Sequence, residues 1–285
     1  MMQDTKFISI NGKIIPVTEG SISTEDRGFL YGDGIFETLR TYNGEPFKLA
    51  EHLERMRCSA EKLKIIPEYS NAEISESLTK LLAKNNVQDA YIRITLSRGE
   101  GGSGLQLSDG LRSTILLQVK PFKPYDEKLY NEGMCLAVSG HRRSTTSPIC
   151  RHKTTNLLTS ILLKEEAGSK SAHDSIVLNT DGYVAECIVS NIFMVADGSV
   201  ITPLLDTNIL PGITRRTVLD ICRDSGIPAS EERFKIETLI KAEEVFTTNS
   251  LMEIMPVSMI EEYQIGKTIP GKITQQLMSE YKGLI

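Results

Sequence analysis

Nothing in this sequence is spaced to build a disulfide framework or to hold a metal. Its five cysteines, at positions 58, 135, 150, 187 and 222, include no Cys-x-x-Cys pair, and an odd number cannot all pair within one chain. Free, mostly buried thiols in a reducing compartment are the expectation. Cys150, near Lys153, and Cys187, beside Glu186, read as packing residues before they read as nucleophiles. Four histidines without ligand spacing predict no metal site. No apolar run approaches the roughly 20 residues of a membrane span, and Met1-Met2-Gln3-Asp4-Thr5-Lys6 contains no apolar stretch of signal length. A cytoplasmic protein is expected. A basic excess is missing too: 32 Lys and Arg against 37 Asp and Glu leave a net charge of −5. Nucleic acid and acidic membrane are therefore not expected as partners, and an anionic substrate would need local Arg or Lys. Internal repeats and low-complexity tracts are absent as well.

What is present is ordinary globular composition. The chain has 285 residues, 40% hydrophobic and 24% charged, enough for two packed cores. Two prolines in Pro121-Phe122-Lys123-Pro124 restrict the backbone as a linker would. Residues 1–120 are accordingly read as an N-terminal α/β lobe, 121–130 as a linker and 131–285 as the second lobe. The first lobe opens on a hairpin, Phe7–Ile10 and Lys13–Val17, because Asn11-Gly12 supplies the positive φ angles of a tight turn. Gly28 to Gly34 is a glycine-punctuated bend leading into a strand over Ile35–Tyr42. Apolar spacing predicts helices over His52–Leu63 and Ala72–Ala83, and strands over Ala90–Ser97 and Ser113–Lys120. Arg98-Gly99-Glu100-Gly101-Gly102-Ser103-Gly104 lacks a P-loop lysine and reads as a mobile loop. In the second lobe the pattern predicts a strand over Met134–Ser139 and a helix over Thr154–Ala167. Further strands are expected around Ile176, Val184, Ile192, Val200 and Val245, and helices over Ile213–Cys222, Glu237–Ala242 and Lys272–Tyr281.

The chemistry centres on Ser147 to Asn191. Lys153 stands where an extended segment feeds a predicted helix, and Glu186 lies about thirty residues on, in a short apolar strand. A lysine withdrawn from water loses its charge and can attack an aldehyde. Pyridoxal phosphate is the biological aldehyde that uses such an amine, and its ring nitrogen needs a carboxylate that keeps it protonated. The plainer alternative is a solvated lysine ahead of a helix and a surface glutamate beside a turn. Leu210-Pro211-Gly212-Ile213-Thr214-Arg215-Arg216 opens a helix whose first amides, with a hydroxyl, suit a phosphate. Thr247-Thr248-Asn249-Ser250, after the strand Glu244-Val245-Phe246, would supply a second set of amides and hydroxyls.

Taken with Asp26-Arg27-Gly28-Phe29-Leu30-Tyr31-Gly32-Asp33-Gly34-Ile35-Phe36-Glu37 and Glu51-His52-Leu53-Glu54-Arg55, these segments resemble the class IV aminotransferases, the fold-type IV pyridoxal phosphate enzymes. That family includes the branched-chain and D-amino acid aminotransferases and aminodeoxychorismate lyase. The resemblance runs from about Phe7 to about Val257, with the motifs in family order. It implies an α+β fold of two lobes, a small N-terminal α/β lobe and a larger cofactor-binding lobe with a β-barrel-like sheet core. It also implies pyridoxal 5'-phosphate as cofactor and a homodimer with a shared active site. Lys153 would form the internal aldimine and relay protons, and Glu186 would meet the ring nitrogen. Arg55 takes the phosphate-binding arginine position, where its fork of donors suits a phosphate; otherwise it is a surface arginine on an amphipathic helix. Ile213, Thr214, Asn249 and Ser250 complete the implied cofactor set. Asn191 matches the family too, though its job could be only to tie loops together. Tyr31, Phe36, Arg93 and Leu251 fall at implied substrate-pocket positions, with a plain core role as the alternative for Tyr31 and Phe36.

Within the family the motifs divide. Lys153-Thr154-Thr155-Asn156 lacks the glycine pair that usually follows the branched-chain lysine. Gly102-Ser103-Gly104-Leu105-Gln106 lacks the Arg-x-His trap of the bacterial D-amino acid enzymes. Ser97–Gly104 and Thr248–Val257 resemble aminodeoxychorismate lyase, whereas Ile35–Tyr42 resembles the aminotransferases. The leading expectation is a transaminase moving an amino group between a D-amino or branched-chain amino acid and a 2-oxo acid, through the lysine aldimine and a quinonoid. The first alternative is the lyase, which eliminates pyruvate and leaves 4-aminobenzoate. A non-catalytic binding protein on the same fold is the second, and the intact set of Lys153, Glu186, Arg55 and Thr214 speaks against it.

Overall fold

A computed structural model describes residues 6–102, 104–108 and 110–285. Ser103 of the glycine loop and the segment Met1–Thr5 lie outside the described residues. Contacts divide the chain into two compact units. One holds the residues up to Lys123 together with His152–Asn156, and the other holds Pro124–Arg151 and Leu157–Ile285.

The first unit is a sheet covered by helices. Its elements are β1 (Phe7–Ile10), β2 (Lys13–Pro16), α1 (Arg27–Tyr31), β3 (Gly34–Tyr42), β4 (Glu45–Pro46), α2 (Leu49–Lys62), α3 (Asn71–Asn85), β5 (Ala90–Glu100) and β6 (Arg112–Pro121). The six strands run in the order β2-β1-β6-β5-β3-β4, each neighbouring pair antiparallel. Period-two alternation turns Ile92, Ile94 and Leu96 of β5, with Ile35 and Leu39 of β3, into one core. Leu53, Met56 and Ala60 of α2 and Ile74, Leu78 and Leu81 of α3 close over it. Because Glu37 lies between Ile35 and Leu39 in that inward row, a carboxylate is driven into the core; Phe36 turns to the opposite face. A capping box, Ser70 with Glu73, starts α3.

Four expectations change here. The bend at Gly28 holds a short helix, α1, because the Asp26 carboxylate accepts the Gly28 N–H at 2.8 Å and Gly32 ends the turn at φ 67°. Helix α2 starts at Leu49, ahead of His52. β5 does not stop at Ser97: it continues past a bulge until Glu100 pairs with Arg112. Gly99 is needed there, since its φ is 85° and a Cβ would collide with the Arg112 carbonyl. Arg98, expected in a mobile loop, is buried and forks onto Asp33 at 2.7 and 2.9 Å.

The second unit is built on nine strands. Its elements are α4 (Glu127–Glu132), β7 (Met134–Arg143), α5 (Leu158–Ser169), β8 (Asp174–Asn179), β9 (Val184–Cys187), β10 (Asn191–Ala196), β11 (Ser199–Pro203), α6 (Ile213–Asp224), β12 (Ala229–Glu232), α7 (Ile236–Leu239), β13 (Glu244–Asn249), β14 (Glu253–Ile260), β15 (Tyr263–Gln264) and α8 (Lys272–Lys282). The order is β12-β11-β10-β13-β14-β7-β8-β9, with β15 on β14. Terminal β9 packs back against β10 and β11, so the sheet curls toward a barrel. Ile176, Val184, Ile192, Met194, Val245, Met255 and Val257 form its core.

Helix α5 starts at Leu158 and not at Thr154. The reason is hydrogen bonding within the first unit: the Lys153 carbonyl accepts the Phe36 N–H at 2.8 Å and the Thr155 N–H reaches the Gly34 carbonyl at 2.9 Å. Backbone groups already satisfied by β3 cannot also close helical turns. Thr247 to Asn249, expected to follow a strand, are themselves the end of β13.

Candidate functional site

In the first unit the sequence candidates gather on β3. Antiparallel bridging of Thr154 to Ile35 fixes the lysine segment beside the start of that strand. Lys153 is half-buried, its Nζ 4.6 Å from the centre of the Phe36 ring. The Arg93 guanidinium stacks on the same ring at 3.8 Å and its Nε reaches Thr95 Oγ1 at 3.3 Å. One aromatic side chain thus holds an amine and a planar cation together. Tyr31, at the end of α1, lies under the Arg27 guanidinium at 4.9 Å and is more than one-third exposed.

Arg55 stands on the other side of β3. Its Nε and Nη2 fork onto the two oxygens of Glu37, at 2.9 and 2.6 Å, and His52 Nδ1 lies 2.7 Å from Glu37 Oε2. Glu37 and His52 are each 1% exposed. Burial works against the Glu37 charge, but Arg55 and His52 overcome it and hold the carboxyl at about 2. For His52 burial dominates in the other direction and lowers its pKa despite Glu37, with Arg55 and Lys153 adding to the effect.

In the second unit Glu186 is buried at 7% exposure. Its Oε1 takes the Arg143 guanidinium, and its Oε2 takes Asn191 Nδ2 at 2.9 Å and the Leu210 N–H at 3.2 Å. Asn191 Nδ2 also reaches the Leu210 carbonyl at 3.0 Å, so the side chain ties the Leu210–Gly212 turn to Glu186. A side chain at Gly212 would displace Asn191, because a Cβ would overlap Asn191 Oδ1. That turn delivers Ile213 and Thr214 as the first residues of α6, with Thr214 buried. Asn191 pairs with Thr248 across β10 and β13. At the end of β13, Asn249 Oδ1 accepts the Leu251 and Met252 N–H groups, both at 2.9 Å, which shapes the turn holding Ser250. Asn249 Nδ2 reaches the Val189 carbonyl at 3.3 Å. Glu186, Asn191, Ile213, Thr214, Asn249, Ser250 and Leu251 are therefore gathered by one end of a single sheet.

These residues fit a phosphorylated, ring-bearing aldehyde. Helix α6 begins without a side-chain cap, leaving its leading amides to an anion. Thr248 Oγ1, on the same face of the sheet as its partner Asn191, is buried without a hydrogen-bond partner among the described residues, as a hydroxyl awaiting an acceptor would be. The Glu186 carboxylate, ringed by donors, is suited to stay anionic opposite a ring N–H. Three participants were not singled out from sequence by role: Glu37, His52 and Arg143. A charge in the inward row Ile35-Glu37-Leu39 was the available signal for the first. Nothing local marks Arg143, the last residue of β7.

Residues 34–260 match the model of the family described as amino-transferase class IV. The aminodeoxychorismate lyase of Bacillus subtilis is 37% identical over 97% of this chain and 94% of its own length. The D-alanine aminotransferase of Listeria monocytogenes is 32% identical over 95% of this chain and 93% of its own. Among solved structures, the branched-chain amino acid aminotransferase of Escherichia coli superposes with a TM-score of 0.94 at 28% identity, covering 99% of this chain and 95% of that chain. The T.th branched-chain amino acid aminotransferase with pyridoxamine 5'-phosphate superposes with a TM-score of 0.92 at 29% identity, covering 98% and 93%.

Proposed function

Since the chain belongs to the class IV aminotransferases, we propose that it is a pyridoxal 5'-phosphate enzyme moving an amino group between an amino acid and a 2-oxo acid. Its cofactor, when bound, supplies an aldehyde for an amine and an electron-withdrawing ring. The observation that carries the reading is the Lys153 amine and the Arg93 guanidinium held on one Phe36 ring, at 4.6 and 3.8 Å. A fixed cation beside a reactive amine suits a substrate whose carboxylate adjoins its reacting carbon. In this reading Lys153 Nζ anchors the cofactor and takes the proton from the substrate Cα. Glu186 holds the proton on the ring nitrogen. The leading amides of α6, Thr214 and the Asn249–Ser250 turn hold the phosphate. Arg55 contributes to that phosphate site while Glu37 orients its fork, and Tyr31, Phe36, Arg93 and Leu251 shape the substrate pocket.

Similarity to the Bacillus subtilis lyase, at 37% identity, favours a second reading: elimination of pyruvate from aminodeoxychorismate to leave 4-aminobenzoate. One titration separates the two. Under the first reading, D-alanine, D-glutamate or L-leucine converts the bound cofactor to its amine form, seen as a loss of the visible band, and a 2-oxo acid restores it. Pyruvate released from aminodeoxychorismate without any acceptor, with no amino acid bleaching the band, would transfer the assignment to the lyase.

We further propose a homodimer in the cytoplasm. Support comes from apolar side chains left in water: Phe29 at 76% exposure on α1, and Leu158 and Leu162 at 70% and 62% on α5. The cysteines are free, which agrees with a reducing compartment, and no helix among the described residues is long and apolar enough to cross a membrane. Sedimentation equilibrium at micromolar concentration should return twice the chain mass of 31.7 kDa; a single-chain mass there would end the dimer reading.

A further inference from the structure

A buried ionised carboxylate must be compensated or it will take up a proton. Glu186 is compensated on both oxygens, and the compensation is unequal. Oε2 meets two neutral amide donors, Asn191 Nδ2 and the Leu210 N–H. Oε1 meets a full charge, the Arg143 guanidinium.

That guanidinium is itself braced. Its Nη1 also points to the Asn208 carbonyl at 3.4 Å. Asn208 sits in the left-handed region at φ 69°, and its side-chain amide donates to the carbonyls of Ser144 and Ser147 at 2.8 and 3.0 Å. Those two residues belong to the segment that leaves β7 directly after Arg143. Were Arg143 to swing off Glu186, it would also give up its bond to the Asn208 carbonyl. Arginine stays charged wherever the protein folds.

We infer that Arg143 is a positioning residue for the reaction: acting through Glu186, it keeps that carboxylate ionised and too weakly basic to draw the proton from the cofactor's ring nitrogen. This rests on the role proposed above for Glu186. In an N–H···O pair the proton resides on the more basic partner. A cation in contact with the carboxylate lowers its basicity, whereas amide dipoles do so more weakly. Without the cation the proton moves toward Glu186, the ring loses its positive charge, and electron withdrawal from the substrate Cα falls. Burial opposes the Arg143 charge, yet the contact with Glu186 outweighs it and raises the arginine pKa, as expected of a pair that stabilises both charges.

The test uses Arg143→Gln, which removes the charge but keeps a donor, with Arg143→Met as a second neutral variant should the first not fold, and Arg143→Lys as the conservative change. Infrared spectra of the apoprotein, with Glu186→Gln as the subtraction reference, report whether residue 186 carries a carboxylic-acid band at neutral pH. The band should be absent in wild type and Arg143→Lys and present in the neutral variants. In the holoenzyme the neutral variants should lose about tenfold or more in kcat, with KM moved by about twofold or less, and Arg143→Lys should recover part of the loss. Adding Arg143→Gln to Glu186→Gln should cost nothing beyond Glu186→Gln alone. A residue 186 that stays ionised in the neutral variants, or a kcat loss that persists in the Glu186→Gln background, would overturn the inference. A Glu186→Gln enzyme with unaltered cofactor affinity and turnover would instead remove the role of Glu186 itself.

Discussion

Replacing Lys153 with alanine should lower kcat by on the order of 10³-fold or more, because one amine both anchors the cofactor and moves the proton at the substrate Cα. The fold should survive the change. Lys153 holds its place through its carbonyl, which accepts the Phe36 N–H at 2.8 Å, and its neighbour Thr155 N–H is bonded to Gly34 at 2.9 Å; neither bond involves the side chain. Borohydride treatment followed by peptide mapping gives the matching chemical readout. A stable adduct should appear on the wild-type peptide containing Lys153 and on no peptide of the variant. Near-normal turnover in the alanine enzyme would show that another amine does the work.

The second large effect concerns stability. Glu37→Ala leaves the Arg55 guanidinium and His52 inside the core without the carboxylate they share at 2.6 and 2.7 Å. Removing one partner of such a buried pair costs roughly 3–5 kcal/mol. In a chain of this size that corresponds to a fall in melting temperature on the order of 10 °C. Acid should expose the same cluster in wild type. Glu37 is held at about 2 against its usual 4.5, so its stabilisation is complete above the unfolded value and is lost as pH falls toward 2. His52 is also lowered from its usual 6.5, chiefly by burial, so folding favours its neutral form and loses that contribution as pH drops below 6.5. Wild type should therefore weaken in two stages on acidification, and Glu37→Ala should lack the lower one. Denaturant unfolding at a series of pH values would measure this. An alanine variant within about 1 kcal/mol of wild type at neutral pH would mean that water, and not Glu37, serves Arg55.

Much of the fold is legible from periodicity, for a local reason. Amphipathic spacing depends only on neighbours along the chain, so α2, α3, α6 and α8 and strands β5 and β6 can be recognised, with their ends off by a few residues. Ends are less legible because distant partners set them. Glu100 continues β5 by pairing with Arg112, and Thr154 and Thr155 are denied to α5 by β3. Short α1 escapes the pattern because five residues containing a glycine carry too weak a helical signal.

The same division holds at the candidate site. From sequence alone come the family, the order of its motifs, and Lys153 and Glu186 as the residues on which an amine and a ring partner would be sought, since motif chemistry is written in consecutive residues. Tertiary structure alone decides which charge meets which. Arg55 forks onto Glu37 across a separation of 18 residues, Arg143 meets Glu186 across 43, and Arg98 is buried on Asp33 across 65. Buried charges must find partners wherever the packed chain brings them, and apposition over such distances has no local pattern to betray it.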